Sequence, residues 1–200
     1  MISIEGFILA GGASSRMGKD KSRLLLDGRT LMEIIAASLS NVVSSVRVIG
    51  RKADDLGLKS SPDLVAGWGA LGGVHAALAS CQKDWALVVA CDIPFVSEQL
   101  FERLIGFSQG FEAVAPIQAD GYPQPLCALY RVVPCLERAE ALIADGERRP
   151  ITLLQGVKTR WVVFDELRDL ADAGRFFDNI NTPNDYDRAL KKGGAVQVKG

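Results

Sequence analysis

Short apolar runs alternate with stretches of helical spacing along most of this 200-residue chain. Residues 6–10, 46–50, 85–91, 113–116 and 126–130 read as buried strands. Between them, residues 31–39, 71–80, 98–107 and 136–144 carry apolar positions at helical spacing. Such alternation predicts an α/β fold around a mostly parallel sheet. Helix starts carry matching caps. Thr30 precedes Leu31 with Glu33 three residues on, Ser97 precedes Glu98, and Thr182-Pro183 opens a last helix running to about Lys191. No internal repeat or linker interrupts the pattern, so residues 1–192 read as a single domain and residues 193–200 as a frayed tail.

In sheets of this kind ligands bind beyond the carboxyl ends of the strands. Four loops are expected to converge there: 11–21, 50–52, 92–95 and the loop after the strand at 126–130, joined by the segment 62–73. The first is the most telling. Phe7-Ile8-Leu9-Ala10 runs into Gly11-Gly12-Ala13-Ser14-Ser15-Arg16-Met17-Gly18-Lys19-Asp20-Lys21. Glycines let backbone N–H groups approach a ligand, Arg16 can fork onto phosphate oxygens, and Lys21 adds a point charge. The loop is therefore read as a polyphosphate site. It is not a Walker A loop, because Ala13 stands where the first glycine belongs and Asp20 where the magnesium-binding hydroxyl belongs.

Three further segments compete for notice. Gly67-Trp68-Gly69-Ala70-Leu71-Gly72 matches the dinucleotide fingerprint, but Ser60-Ser61-Pro62-Asp63 before it is turn chemistry, which argues for a loop opening a helix near a ligand. Asp92 ends a buried strand, and a carboxylate facing a polyphosphate does so through Mg²⁺. Its alternative role, capping the next turn, is already filled by Ser97. In Asn179-Ile180-Asn181-Thr182-Pro183 the two asparagines share one face of an extended segment, which suits reading a polar ligand edge and equally suits a helix-entry turn.

Composition excludes several classes. A formal net charge of −1, from 23 basic and 24 acidic residues, gives no electrostatic reason to expect nucleic-acid or membrane partners. No apolar run approaches bilayer length, and Met1-Ile2-Ser3-Ile4-Glu5 has no signal-peptide pattern. Cys81, Cys91, Cys127 and Cys135 form no C-x-x-C pair and read as buried reduced thiols of a cytoplasmic protein. The lone His75 reads as packing, since one histidine cannot build a typical zinc site.

Taken together these residues resemble the molybdenum cofactor guanylyltransferases, a branch of the nucleotidyltransferases, over about residues 6–190. The signature L-A-G-G-x-S-x-R-M-G-x-D-K is met from Leu9 to Lys21. The Asp63 loop ending Ala70-Leu71-Gly72-Gly73, Cys91-Asp92-Ile93-Pro94 and Asn179-Ile180-Asn181-Thr182-Pro183 follow in the family's order. The resemblance implies a three-layer Rossmann-like nucleotidyltransferase fold. It also implies a reaction, transfer of GMP from GTP to the terminal phosphate of molybdopterin carrying molybdenum, with release of pyrophosphate. By the same resemblance Leu9, Ala10, Gly11 and Gly12 line the nucleotide, Arg16 and Lys21 act on its phosphates, Asp63 contacts GTP, and Asp92 binds Mg²⁺. Asn179 and Asn181 face the pterin. The implied partners are GTP, the molybdenum cofactor, and a molybdoenzyme or chaperone that takes the product.

This chain also departs from the pattern. Many members read P-G-x-G-P-L-G-G in the second loop, where Ala66 and Ala70 stand here, and some carry a further arginine near Ser14-Ser15. The related cytidylyltransferases read L-A-A-G at Leu9-Ala10-Gly11-Gly12, and the resemblance assigns part of the choice of guanine to the Gly11-Gly12 pair. Two rival readings stay open: a transferase using CTP or another phosphorylated acceptor, and a non-catalytic nucleotide- or cofactor-binding module.

Overall fold

The computed structural model describes residues 2–10, 24–53, 56–62, 64 and 67–193. Its centre is a seven-stranded sheet, built from β1 (Ile4–Leu9), β4 (Val46–Ile49), β5 (Lys59–Ser61), β6 (Trp85–Ala90), β7 (Ala113–Pro116), β8 (Cys127–Arg131) and β9 (Thr159–Val162). The strand order is β5-β4-β1-β6-β8-β7-β9. A small hairpin, β2 (Leu25–Leu26) and β3 (Arg29–Thr30), stands apart. It turns on Asp27 and Gly28, both at positive φ, 51° and 78°, as a two-residue hairpin loop requires.

The sheet is mixed in one place. β8 runs antiparallel to both its neighbours, β6 and β7, while the other pairs are parallel. This corrects one expectation about the site. Arg131, the end of β8, lies opposite Trp85, the start of β6. The loop after β8 therefore leaves from the far edge. What reaches the expected ligand edge is the entry to β8, where Leu126 carbonyl accepts from Ala90 N–H at 2.8 Å.

Helices cover both faces. α1 (Leu31–Ser40) and α3 (Glu98–Gly106) pack on one side, and α2 (Gly69–Ser80), α4 (Val132–Ala144) and α5 (Pro150–Gln155) on the other. β6 shows why its six residues are all apolar. Leu87 and Val89 face Ile35, Leu100 and Leu104, whereas Ala86 and Val88 face Val74, Leu78 and Leu142, so neither side meets water. The last helix, α6 (Pro183–Gly193), packs by Ala189 against Leu26 and Leu31.

The caps act as their sequence implies. Thr30 Oγ1 accepts from Glu33 N–H at 3.2 Å while the Glu33 carboxylate accepts from Thr30 N–H at 2.6 Å. Ser97 Oγ accepts from Leu100 N–H, also at 3.2 Å. Two strands of the central sheet were not expected, β9 and β5, whose Ser60 and Ser61 read as a turn, and neither was the β2–β3 hairpin. The four cysteines are unbridged. Cys127 and Cys135 are buried and Cys81 and Cys91 half-buried, and loss of water pushes the Cys127 thiol up to about 12. Among the described residues no helix is long and apolar enough to cross a membrane.

Candidate active site

Parallel strands β4, β1 and β6 present their carboxyl ends to one edge of the sheet, and backbone hydrogen bonds knit those ends together. Ala10 N–H donates to Ile49 carbonyl at 2.9 Å, and Cys91 N–H donates to Leu9 carbonyl at 3.1 Å. Leu9 and Ala10 thus lie directly beside the chain that carries Asp92. Gly50 N–H extends the row to Ser61 carbonyl at 3.0 Å, with Gly50 itself at φ 88°. Gly11, Gly12, Arg16, Lys21 and Asp63, expected to complete the nucleotide side, lie outside the described residues.

The late asparagine segment meets the same edge. Ile180 N–H donates to Asp92 carbonyl at 2.8 Å, so residues distant in sequence are joined at the centre of the site. Ile180 is buried against Leu26, Leu31 and Ala189, which anchors the segment and sets the asparagines on either side of it. Asn179 is exposed and Asn181 half-buried. The turn is locked by Asp185, whose carboxylate accepts from Thr182 N–H at 2.8 Å and Asn181 N–H at 3.1 Å, while Thr182 Oγ1 accepts from Asp185 N–H. The Thr182 hydroxyl, with Arg188 and these N–H groups, holds the Asp185 carboxyl below its ordinary range. The segment thus forms the helix-entry turn that its sequence suits.

Beside it lies a cavity of about 170 Å³, lined among others by Phe95, Arg175, Asn179, Asp185 and Arg188. Arg175 stacks its guanidinium 4.1 Å from the Phe95 ring centre. Its Nε and Nη2 atoms are buried and have no hydrogen-bond acceptor among the described residues. A guanidinium held this way suits an anionic group. Arg175 sits in a short 3-10 turn at residues Ala173–Arg175, and nothing in its sequence neighbourhood distinguishes it from a surface arginine.

The second glycine loop reaches the site from the other face of the sheet. Gly73, in the first half of α2, packs so closely on β1 that a Cβ there would stand 3.3 Å from Leu9 Cδ1. The geometry gives the dinucleotide reading no support. β5 ends at Ser61 and α2 begins only at Gly69, and among the described residues no strand turns tightly into that helix.

Asp92 is half-buried at the mouth of the edge. Among the described residues no three His, Cys, Asp or Glu side chains gather to cage a metal. As a carboxylate at this edge, Asp92 could hold a hard cation. His75, on α2, has a buried Nδ1 without a hydrogen-bond partner among the described residues and its Nε2 4.0 Å from Glu140, in the packing between α2 and α4.

Comparison with known proteins supports this geometry. The model of the MobA-like NTP transferase domain matches residues 6–159. The probable molybdenum cofactor guanylyltransferase of Pelotomaculum thermopropionicum is 35% identical, over 94% of this chain and 93% of its own length. The molybdenum cofactor guanylyltransferase of Vibrio atlanticus is 32% identical, over 89% and 91% respectively. The crystal structure of molybdopterin-guanine dinucleotide biosynthesis protein A from Archaeoglobus fulgidus superposes with a TM-score of 0.80 at 29% identity, over 95% of this chain and 98% of that one. A family model matching residues 6–159 and relatives matched over nearly their full length lead to one family: the chain belongs to the MobA-like NTP transferases, among the molybdenum cofactor guanylyltransferases.

Proposed function

We propose that this protein transfers GMP from GTP to the terminal phosphate of molybdopterin carrying molybdenum, giving molybdopterin guanine dinucleotide and pyrophosphate. The observation that carries the reading is a pair of backbone hydrogen bonds at one sheet edge, from Cys91 N–H to Leu9 carbonyl and from Ile180 N–H to Asp92 carbonyl. It supports a reading in which the chain entering the glycine loop, the Asp92 carboxylate and the asparagine segment serve one site.

In the step proposed, an oxygen of the acceptor phosphate attacks the α-phosphorus of GTP. A new P–O bond forms, the bond to the β-phosphate oxygen breaks, and pyrophosphate leaves with that electron pair. Several negative charges must approach one another, so the barrier is electrostatic and positional and no covalent nucleophile is needed. Leu9, Ala10, Gly11 and Gly12 would line the nucleotide, with Asp63 at its edge. Arg16 and Lys21 would neutralise charge on the phosphates. Asp92 would hold a divalent cation, which we assign as Mg²⁺ and which would supply Lewis-acid stabilisation of phosphate charge. Asn179 and Asn181 would orient the acceptor. We place the reaction in the cytoplasm and assign it to one domain spanning residues 1–192, with the product passed to a molybdoenzyme or its chaperone.

The test is release of pyrophosphate by the purified protein with GTP, Mg²⁺ and molybdopterin, repeated with CTP. Release with GTP in preference to CTP supports the reading. Preference for CTP makes the protein a cytidylyltransferase. Nucleotide binding without release makes it a non-catalytic module.

A further inference from the structure

The second glycine loop should be floppy. Its sequence, Ala66-Gly67-Trp68-Gly69-Ala70, contains no proline, and Gly67 and Gly69 both adopt positive φ, 75° and 64°. The helix it opens, α2, has Trp68 at its N-cap and no side-chain cap bond. Yet the loop is held, and from a distant part of the chain. Trp68 Nε1 donates to the carbonyl of Glu147 at 3.0 Å, and Leu71 N–H donates to the carbonyl of Arg148 at 3.4 Å. The Arg148 guanidinium lies over the Trp68 ring, 5.1 Å from its centre. The carbonyl of Arg148 thus supplies α2 with the cap acceptor that its own sequence lacks.

The turn that offers those carbonyls is itself braced. Gly146 takes φ 82° after α4. The Glu147 carboxylate then accepts from Arg148 N–H at 2.8 Å, Arg149 N–H at 3.0 Å and Thr152 Oγ1 at 2.9 Å, and pairs with Arg149 Nη2 at 2.7 Å. Pro150 at the start of α5 fixes the exit. On its other side the loop rests on β1 through Gly73 and Leu9. The Gly67–Leu71 stretch is therefore gripped between the nucleotide edge of the sheet and the α4–α5 turn.

We propose that the turn at residues 146–149 is a strap that holds this loop in the shape that receives GTP, and that Trp68 is the positioning residue through which it acts; the link to GTP rests on the function proposed above. The loop is thus stiffened from outside, by a tryptophan and a braced turn.

The experiment has two arms on the full-length protein. Amide hydrogen exchange without ligand compares the wild type with Trp68→Phe, which keeps a ring for Arg148 but removes the N–H, and with Trp68→Ala, which removes both. Exchange at the amides of residues 67–73 is expected to quicken about threefold in the first and about tenfold in the second, with β6 unchanged. Steady-state kinetics then expects the KM for GTP to rise about tenfold in Trp68→Ala with kcat within about twofold, the signature of lost ground-state binding. Glu147→Gln, which weakens the brace at the exposed turn and leaves Trp68 in place, should move both readouts the same way and serves if Trp68→Ala does not fold. Unchanged exchange at residues 67–73 overturns the strap. Faster exchange with an unchanged KM for GTP overturns the positioning role. If the wild type transfers no GMP, the proposed function falls while the exchange arm still decides the strap.

Discussion

Glu5 offers the sharpest test of how the sheet is held. It lies on the central strand β1 and is only 3% exposed. Its Oε1 accepts from Arg47 Nε at 3.3 Å and Nη2 at 3.1 Å, and its Oε2 accepts from Gln82 N–H at 2.9 Å. Arg47, on β4, is nearly as enclosed, with 15% of its side chain exposed and a further contact from Nη1 to Ser61 Oγ at 3.4 Å. The pair therefore ties β1, β4, β5 and the end of α2 at one point. Glu5→Ala leaves a largely enclosed guanidinium without its carboxylate. Removing one partner of a buried pair costs about 3–5 kcal/mol, and the partial exposure of Arg47 puts this site near the lower end, about 3 kcal/mol. In a chain of this length that is a fall of about 6–12 °C in Tm. Gln82 is exposed, so its N–H turns to water and adds little. Replacing both partners, Glu5→Leu with Arg47→Met, removes the stranded charge and is expected to recover most of the loss. Urea unfolding of the two single variants and the double variant closes the cycle. A double variant as unstable as the sum of the singles would refute the argument, because the cost would then lie in strand packing and not in unpaired charge.

Asp92→Ala is expected to lower kcat for pyrophosphate release by about 10²–10³-fold, the scale for losing an electrostatic stabiliser, with the cooperative unfolding transition intact; normal turnover would remove Asp92 from the metal site. Gly73→Ala sets a helix-propensity gain of about 1 kcal/mol against overpacking of 1–3 kcal/mol at Leu9. A net loss of about 1 kcal/mol in urea, with a raised KM for GTP, is the expected result, whereas a more stable variant with unchanged KM would show that α2 can shift freely on β1. Asp185 has a depressed carboxyl pKa in the folded state, caused first by the Thr182 hydroxyl. Its contribution to stability is therefore complete above the ordinary carboxylate range and is lost as pH falls through the depressed value. The penalty of Asp185→Asn, measured by urea unfolding at a series of pH values, should be constant near neutrality and vanish in acid; a penalty that persists in acid would assign it to packing.

Much of the architecture was written locally. Thr30 with Glu33, and Ser97, announce two helix starts because a cap is a contact between residues three apart. Phe7-Ile8-Leu9 and Leu87-Val88-Val89 announce buried strands because both faces of the sheet are covered. The polar edge strand Lys59–Ser61 was missed because its order comes from pairing with β4, not from its own side chains. The reversed direction of β8 did have a signal. Only ten residues, 117–126, separate Pro116 from Cys127, too few for the crossover that a parallel neighbour needs. Asp27-Gly28 was likewise a readable hairpin turn. At the site, the strand-end rule was enough to bring Leu9, Ala10 and Asp92 together. Arg175 and the Trp68–Glu147 contact were not readable, since one rests in a featureless turn and the other spans 79 positions that only the packing of α4 and α5 against α2 brings together.

The bond from Ile180 N–H to Asp92 carbonyl has a consequence for the making of the protein. Together with the Tyr186 hydroxyl, which donates to Leu25 carbonyl at 2.6 Å, it fastens residues 180–186 onto segments made much earlier. On the ribosome, β1, β4 and β6 can pair long before that fastening is possible. A nascent chain would thus hold this sheet edge half built until residues 180–186 had emerged. Truncation before Ile180 should leave a sheet that folds with its edge unfastened, so resistance to proteolysis at that edge would arrive only with those residues.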